Sequence, residues 1–204
     1  MPQIEFHEDT HTYLVDGMIT PSVTHYISEI WMPNKYANVS RKTLNHAAGY
    51  GTKVHRLIEY WNDHHETPED YEKKSYEGIA LRRYKQLEEK YQIISEKQEV
   101  PVCYIEEGIP LFAGTFDFLG TVGGVHTLAD YKTTAAYDGD YLGYQETLYK
   151  LAIEQTLGIT DIKKTVCIWL PKRDLGNVID VTLKDPLSLI EDIKKYEEQH
   201  NSEG

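Results

Sequence analysis

Two consecutive glycines, Gly123-Gly124, lie between Val122 and Val125 in the stretch AGTFDFLGTVGGVHTLADYKTT, residues 113–134. A two-residue glycine loop between β-type runs is a hairpin turn, and it dictates the pairing on either side. Val122 faces Val125, Thr121 faces His126, Leu119 faces Leu128, Asp117 faces Asp130 and Thr115 faces Lys132. Side chains alternate along a strand, so from Thr121 and His126 outward these residues share one face. The Asp117 and Asp130 Cβ atoms are then roughly 4.5–5.5 Å apart, and like charges at that separation destabilise a hairpin. A divalent cation between them reverses the sign, because paired carboxylates suit a hard ion. Lys132, two residues beyond Asp130, reaches the same place. The hairpin alone leaves two readings open: a metal site, or polar positions facing solvent.

The rest of the chain bounds the choice. Its 204 residues are expected to form a single domain, 1–204, with a sizeable core. No apolar run is long enough to span a bilayer. The acidic start, MPQIEFHEDT, lacks the apolar centre of a signal peptide, so the expected location is the cytoplasm. Cys103 and Cys167 lie in separate apolar runs and read as buried thiols. Two cysteines cannot supply the four thiolates of an iron–sulfur cluster. A net charge of −12 argues against non-specific nucleic-acid binding by the whole surface. Local basic candidates are Arg41-Lys42, Lys53 with Arg56, Arg82-Arg83 with Lys85, and Lys172-Arg173.

In chain order, residues 3–20 read as two or three short strands, with His7 and His11 as turn-flanking histidines. A short helix follows, from Tyr26 to Trp31. Residues 40–65 read as a helix whose Val54, Leu57, Ile58 and Trp61 form a core-facing stripe. Gly51-Thr52 precedes that stripe as a cap or a point of close packing, and His55 and Glu59 share a neighbouring face. Thr67-Pro68-Glu69-Asp70 breaks the chain and caps a helix from about Tyr71 to Tyr91. A strand from Glu99 to Ile105, the central hairpin, and a helix from about Asp140 to Leu157 come next, with Gly158 as its stop. In that helix Leu142, Gln145, Tyr149 and Ala152 share a face. Thr165–Leu170 and Asn177–Leu183 read as strands. Asp185-Pro186 opens a last helix, and the tail from about Gln199 should fray. The fold class is α/β (α+β): a mixed sheet flanked by helices, with a small N-terminal β element.

Four segments carry a resemblance. Gly51-Thr52-Lys53-Val54-His55 with Ile58-Glu59 looks like a helix motif bearing a metal-binding histidine. Gly114-Thr115-Phe116-Asp117 looks like a G-x-x-D motif, Asp130-Tyr131-Lys132-Thr133 like D-x-K-T, and Gln145 with Tyr149 like Q-x-x-x-Y. With the opening from Tyr13 to Thr24, they make the chain resemble the PD-(D/E)XK nuclease superfamily. Within it, the chain is similar to the RecB-like exonucleases common in phages.

The resemblance implies a restriction-endonuclease-like core and metal-dependent phosphodiester hydrolysis. It implies Mg²⁺ or Mn²⁺, one or two ions, held by Asp117, Asp130, the Tyr131 carbonyl and His55, with Lys132 handling the attacking water. Gln145 and Tyr149 would position DNA, and Lys53 and Arg56 would contact it. The implied partners are DNA ends, single- or double-stranded, a recombinase or strand-annealing protein, and a second copy of the chain, with no membrane. An endonuclease of the same fold and a non-catalytic DNA-binding subunit are the alternatives. Family members often carry a glutamate on the strand before G-x-x-D, and Glu99 resembles it. A two-residue Glu107-Gly108 loop pairs Glu99 with Phe116, on the wrong face. A one-residue bulge near Gly108 or Pro110 moves Glu99 opposite Asp117. Glu96 is the fallback.

Overall fold

The computed structural model describes residues 2–69 and 71–201, the side chain of Asn201 excepted. Asp70, expected in the cap before the second long helix, lies outside the described residues, as does the end of the tail from residue 202. Strands β1 (Ile4–His7), β2 (Thr12–Val15) and β3 (Met18–Thr20) form a small antiparallel sheet. Helix α1 (Val23–Tyr26) runs into a π-helical turn, Ile27–Trp31, followed by α2 (Arg41–His64) and α3 (Tyr76–Tyr91). The chain continues through β4 (Ile93–Glu106), β5 (Ile109–Val122), β6 (Val125–Lys132), α4 (Gly139–Leu157), β7 (Lys164–Trp169), β8 (Asn177–Asp180) and α5 (Pro186–Asn201). The second sheet has the order β4-β5-β6-β7-β8 and is antiparallel except between β6 and β7. A parallel pair needs a long crossover, and α4 supplies it.

The sheet is covered on both faces. Leu119 and Leu128 pack with Leu148 and Ile153 of α4 and Ile193 of α5. On the other face Phe118, Ala129 and Tyr131 pack with Val54 and Ile58 of α2 and Leu81 and Tyr84 of α3. A smaller cluster of Tyr13, Val15, Cys103 and Ala113 fastens the small sheet onto β4 and β5. Both cysteines are buried. The outer edge of β4 is closed by α4. Thr156 Oγ1 accepts from the Cys103 N–H at 3.0 Å and donates to the Cys103 carbonyl at 2.8 Å. Gln155 makes the same two-way bond with the backbone of Ile105. Side chains thus satisfy a row of strand donors and acceptors that would otherwise invite another chain.

Local signals account for most boundaries. Ser40 caps α2 through Thr43 N–H, and Gly158 ends α4 at φ +69°. Asp185 accepts from the Ser188 N–H at the start of α5. Helix α3 begins at Tyr76 rather than near Tyr71, because Ser75 is its cap and accepts from Gly78 N–H at 2.9 Å. Gly51-Thr52 caps nothing and is no point of close packing: it lies inside α2, and a Cβ at Gly51 would make only an ordinary contact, 3.6 Å from Thr133 Oγ1.

The hairpin register matches the glycine turn from Val122–Val125 to Phe118–Ala129, and there the ladder stops. The Thr115–Lys132 pairing does not form, because β5 and β6 part beyond that point. The vacated edge of β5 is taken by the chain before α1, whose Pro21 carbonyl accepts from Ala113 N–H at 2.9 Å. Along β4 and β5 the pairs run Glu106–Ile109, Ile105–Pro110, then Tyr104–Phe112, leaving Leu111 without a partner. That single extra residue beside Pro110 is the bulge that places Glu99 level with Asp117, between the pairs Gln98–Phe118 and Val100–Phe116. A second irregularity leaves out Glu96.

Candidate metal centre

Glu99 interrupts the alternation of its own strand. Val100 packs towards the α4 side of the sheet, yet Gln98, two residues away, bonds Asn62 of α2 on the other side. Across the ladder, Phe116 lies in the α4 core and Phe118 in the α2–α3 core. Both strands therefore change face at the level of Glu99 and Asp117. Glu99 makes the change in the left-handed region, at φ +48°, within a strand. A non-glycine residue costs about 1–2 kcal/mol there, and such strain collects at functional sites.

Tyr131 joins the parts. Its ring is buried in the α2–α3 core, so its backbone faces the gap between β5 and β6. Its N–H donates to Asp117 Oδ2 at 2.8 Å, and its carbonyl accepts from His55 Nε2 at 2.9 Å. With Nε2 so anchored, His55 presents Nδ1 to Glu99 Oε1 at 3.4 Å and to Asp117 Oδ1 at 3.7 Å. One ligand atom each from His55, Glu99 and Asp117 lies within 4.8 Å of the others, the one such group among the described residues. A metal-ligating histidine usually donates its other ring nitrogen to a carbonyl or carboxylate, and the bond to Tyr131 does this.

Charge is unbalanced here. Burial disfavours an imidazolium at His55, but Asp117, Glu99 and Asp130 outweigh it and push its pKa up to about 9. Burial raises Asp117 and takes Asp130 to about 6, with Asp117 adding to the latter. Burial also works against the charge of Lys132, yet Asp130 and Asp117 hold it above the usual lysine range. Lys132 Nζ donates to Asp130 Oδ1 at 2.6 Å and to Gln145 Oε1 at 3.2 Å. Asp130 Oδ2 is buried without a hydrogen-bond partner. The donors are carboxylate oxygens and one imidazole, the set that suits a divalent cation. The orphaned oxygen and the protonated His55 both mark a site short of positive charge. The residues present fit a metal.

The expected residues come together with exceptions. His55, Glu99 and Asp117 form the trio. Asp130 lies beside it and is held by Lys132, outside the group within 4.8 Å. The Tyr131 carbonyl, expected at the ion, is bonded to His55. Glu96 is not at the site and lies 3.8 Å from His126. Gln145 is buried and holds Lys132. Tyr149 is buried against Gly114, where an added Cβ would come 2.6 Å from its Cε1. Lys53 is exposed, and Arg56 is exposed and paired with Glu8 at 2.7 Å. His7 lies 3.9 Å from Glu5 on the surface.

Three features have no counterpart in the sequence reading. Glu146 is buried, one carboxylate oxygen lacks a partner, and burial together with Asp130 pushes its pKa well up. A glutamate on a helix ordinarily reads as solvated; only its place beside Gln145 hinted otherwise. The Tyr141 ring lies 5.8 Å from Lys132 Nζ and 3.9 Å from Lys35 Nζ. A cleft of about 740 Å³ opens beside the trio, with His55, Glu99 and Tyr149 on one side and Phe6, His11 and Tyr13 of the small sheet on the other.

No family model matches the chain, and no curated protein matches it. Among solved structures, a protein from Eubacterium rectale provisionally named an exonuclease is 15% identical. It matches over 86% of this chain and 71% of its own, with a TM-score of 0.48. The protein SSO0001 is 12% identical, over 71% of this chain and 72% of its own, with a TM-score of 0.35. At these scores neither likeness bears on what the site does. Among the described residues no helix is long and apolar enough to cross a membrane.

Proposed function

We propose that the protein is a metal-dependent deoxyribonuclease that hydrolyses phosphodiester bonds at DNA ends. The supporting observation is His55, Glu99 and Asp117 gathered at a strained kink with the buried Lys132–Asp130 pair beside them, and a cleft that His55 and Glu99 line. His55, Glu99 and Asp117 would hold the ion, with Asp130 as the further carboxylate. Mg²⁺ or Mn²⁺ would serve there, because carboxylate oxygens suit both. When bound, the metal polarises the phosphate and lowers the pKa of a water.

The chain's own groups do the rest. Lys132 stays charged beside Asp130 and places an ammonium where negative charge develops. Gln145 aims it through the bond to Nζ. Tyr131 sets the orientation of His55 and Asp117 through its backbone. The RecB-like resemblance of the motifs favours an exonuclease; an endonuclease of the same fold is the second reading. A role in phage recombination or repair, with a recombinase or strand-annealing partner or as a homo-oligomer, belongs to the same proposal.

The test is digestion of end-labelled linear and closed circular DNA with Mg²⁺, Mn²⁺ or chelator. Loss of linear DNA alone supports the exonuclease, and cutting of circles supports the endonuclease. Absence of metal-dependent cleavage on every substrate would overturn both. Lys132→Ala and Asp130→Asn are expected to abolish cleavage while the fold, checked by circular dichroism, persists.

A further inference from the structure

The cleft continues from the metal trio, since His55 and Glu99 line both. Its volume of about 740 Å³ falls within the roughly 300–1,000 Å³ of small-ligand sites. Its far wall is aromatic and braced. Tyr13 is buried and shares a hydrogen bond with Thr115 at 3.0 Å. Phe6 stacks on Tyr13, with centroids 4.5 Å apart and planes at 26°. His11 meets the Phe6 ring edge-on at 5.3 Å. Phe6 is nonetheless 38% exposed. A large ring held from behind and open in front is a preorganised stacking surface.

The charge of the same cleft is selective. Glu8, Glu59 and Glu99 line it, and its one arginine, Arg56, is bonded to Glu8 at 2.7 Å. Burial, with Glu99 and Asp63 nearby, raises the Glu59 pKa, as expected of an acid among acids. With Arg56 bonded to Glu8 and the charged His55 beside Glu99, Glu59 is the lining carboxylate left in excess, and a phosphate entering this space meets its like charge. A neutral nucleoside does not, and its hydroxyls can donate to the carboxylates.

We propose that this cleft is a subsite for the terminal nucleoside of a DNA strand, with the base on Phe6 and the free hydroxyl end among the glutamates. The inference rests on the nuclease reading for its place in the reaction. It selects strands whose last nucleoside carries a hydroxyl over those ending in a phosphate.

The experiment is a titration of the full chain, in chelator, with 2′-deoxyadenosine and with its 3′- and 5′-monophosphates, followed by heteronuclear NMR. Saturable shifts at Phe6, His11 and Tyr13 with the nucleoside, and weaker binding of both nucleotides, are expected. Phe6→Ala should weaken nucleoside binding at least about fivefold, while Phe6→Trp retains it. Glu8→Gln, which leaves the rings of the stack unchanged, should narrow the gap between nucleoside and nucleotide. No shifts in the cleft, tighter binding of either nucleotide, or binding indifferent to both Phe6→Ala and Glu8→Gln would overturn the subsite. Nucleoside binding without any metal-dependent cleavage would leave the subsite standing and remove the nuclease reading. Cleavage without nucleoside binding would do the reverse.

Discussion

Glu99 offers a direct test of the kink on which the candidate metal centre depends. It holds φ +48° within β4. An L-residue pays about 1–2 kcal/mol for that conformation, which glycine avoids while giving up about 0.5–1 kcal/mol of chain entropy. Glu99→Gly and Glu99→Ala both remove the carboxylate 3.4 Å from His55, so that loss cancels between them. The glycine variant should therefore be the more stable of the two by about 0.5–1 kcal/mol, with a Tm higher by about 1–4 °C. At an ordinary strand position the order is the opposite, because glycine there is worse than alanine by about 0.5–1 kcal/mol. Urea unfolding followed by tryptophan fluorescence, in chelator, measures the difference. An alanine variant equal to or more stable than the glycine variant would show that the backbone is not left-handed at 99, and the placement of Glu99 opposite Asp117 would lose its support. Mn²⁺ is expected to stabilise the native chain, and both variants should lose that response.

The His55 pKa, raised from 6.5 to about 9, makes its contribution to stability complete below pH 6.5 and lost as pH climbs through 9. Thermal unfolding in chelator should show a loss of about 3 kcal/mol over that window, flattened in His55→Gln; Mn²⁺ should stabilise more as pH rises, because it displaces the proton, and a native profile as flat as the variant's would refute the assignment. Thr156→Val keeps the shape but strips both bonds from the buried Cys103 backbone, so urea unfolding should register a loss of about 1–3 kcal/mol; no loss would mean the β4 edge does not need covering. Gln145→Leu removes one partner of the Lys132 ammonium and should lower kcat about tenfold or more with KM nearly unchanged; a rise in KM alone would assign Gln145 to DNA binding instead.

Much of the site was legible because its parts obey local rules. Two glycines set a turn, and Gly123 and Gly124 do adopt φ +62° and +78°. That turn pairs β5 with β6 as far as Phe118–Ala129, and Asp117 and Asp130 follow just beyond the end of the ladder. The period of α2 buries Val54 and Ile58 and leaves His55 beside them, aimed at the sheet. Helix α4 places Gln145 and Tyr149 on a buried face as its spacing implies. The register of Glu99 was not legible in this way. One unpaired residue, Leu111, moves the whole of β4 relative to β5, and a one-residue slip reverses which side every group faces. Glu107-Gly108 and Pro110 allow a bulge without requiring it. Arg56 and Lys53 illustrate the same limit, since exposure and pairing with Glu8 depend on what the small sheet brings against α2.

The sequence by itself determined the order of elements, the hairpin, the stops and caps at Gly158 and Asp185 and the residue types of the candidate metal centre, because each follows from contacts within a few positions of the chain. Only the tertiary structure decided that β5 and β6 part after Phe118, that Glu99 rather than Glu96 joins His55 and Asp117, that Glu146 is buried with an oxygen left unpartnered, and that Phe6 walls the cleft. Each of these depends on segments distant along the chain meeting across a sheet edge, where packing and the cost of an unpaired buried group, not local propensity, select the arrangement.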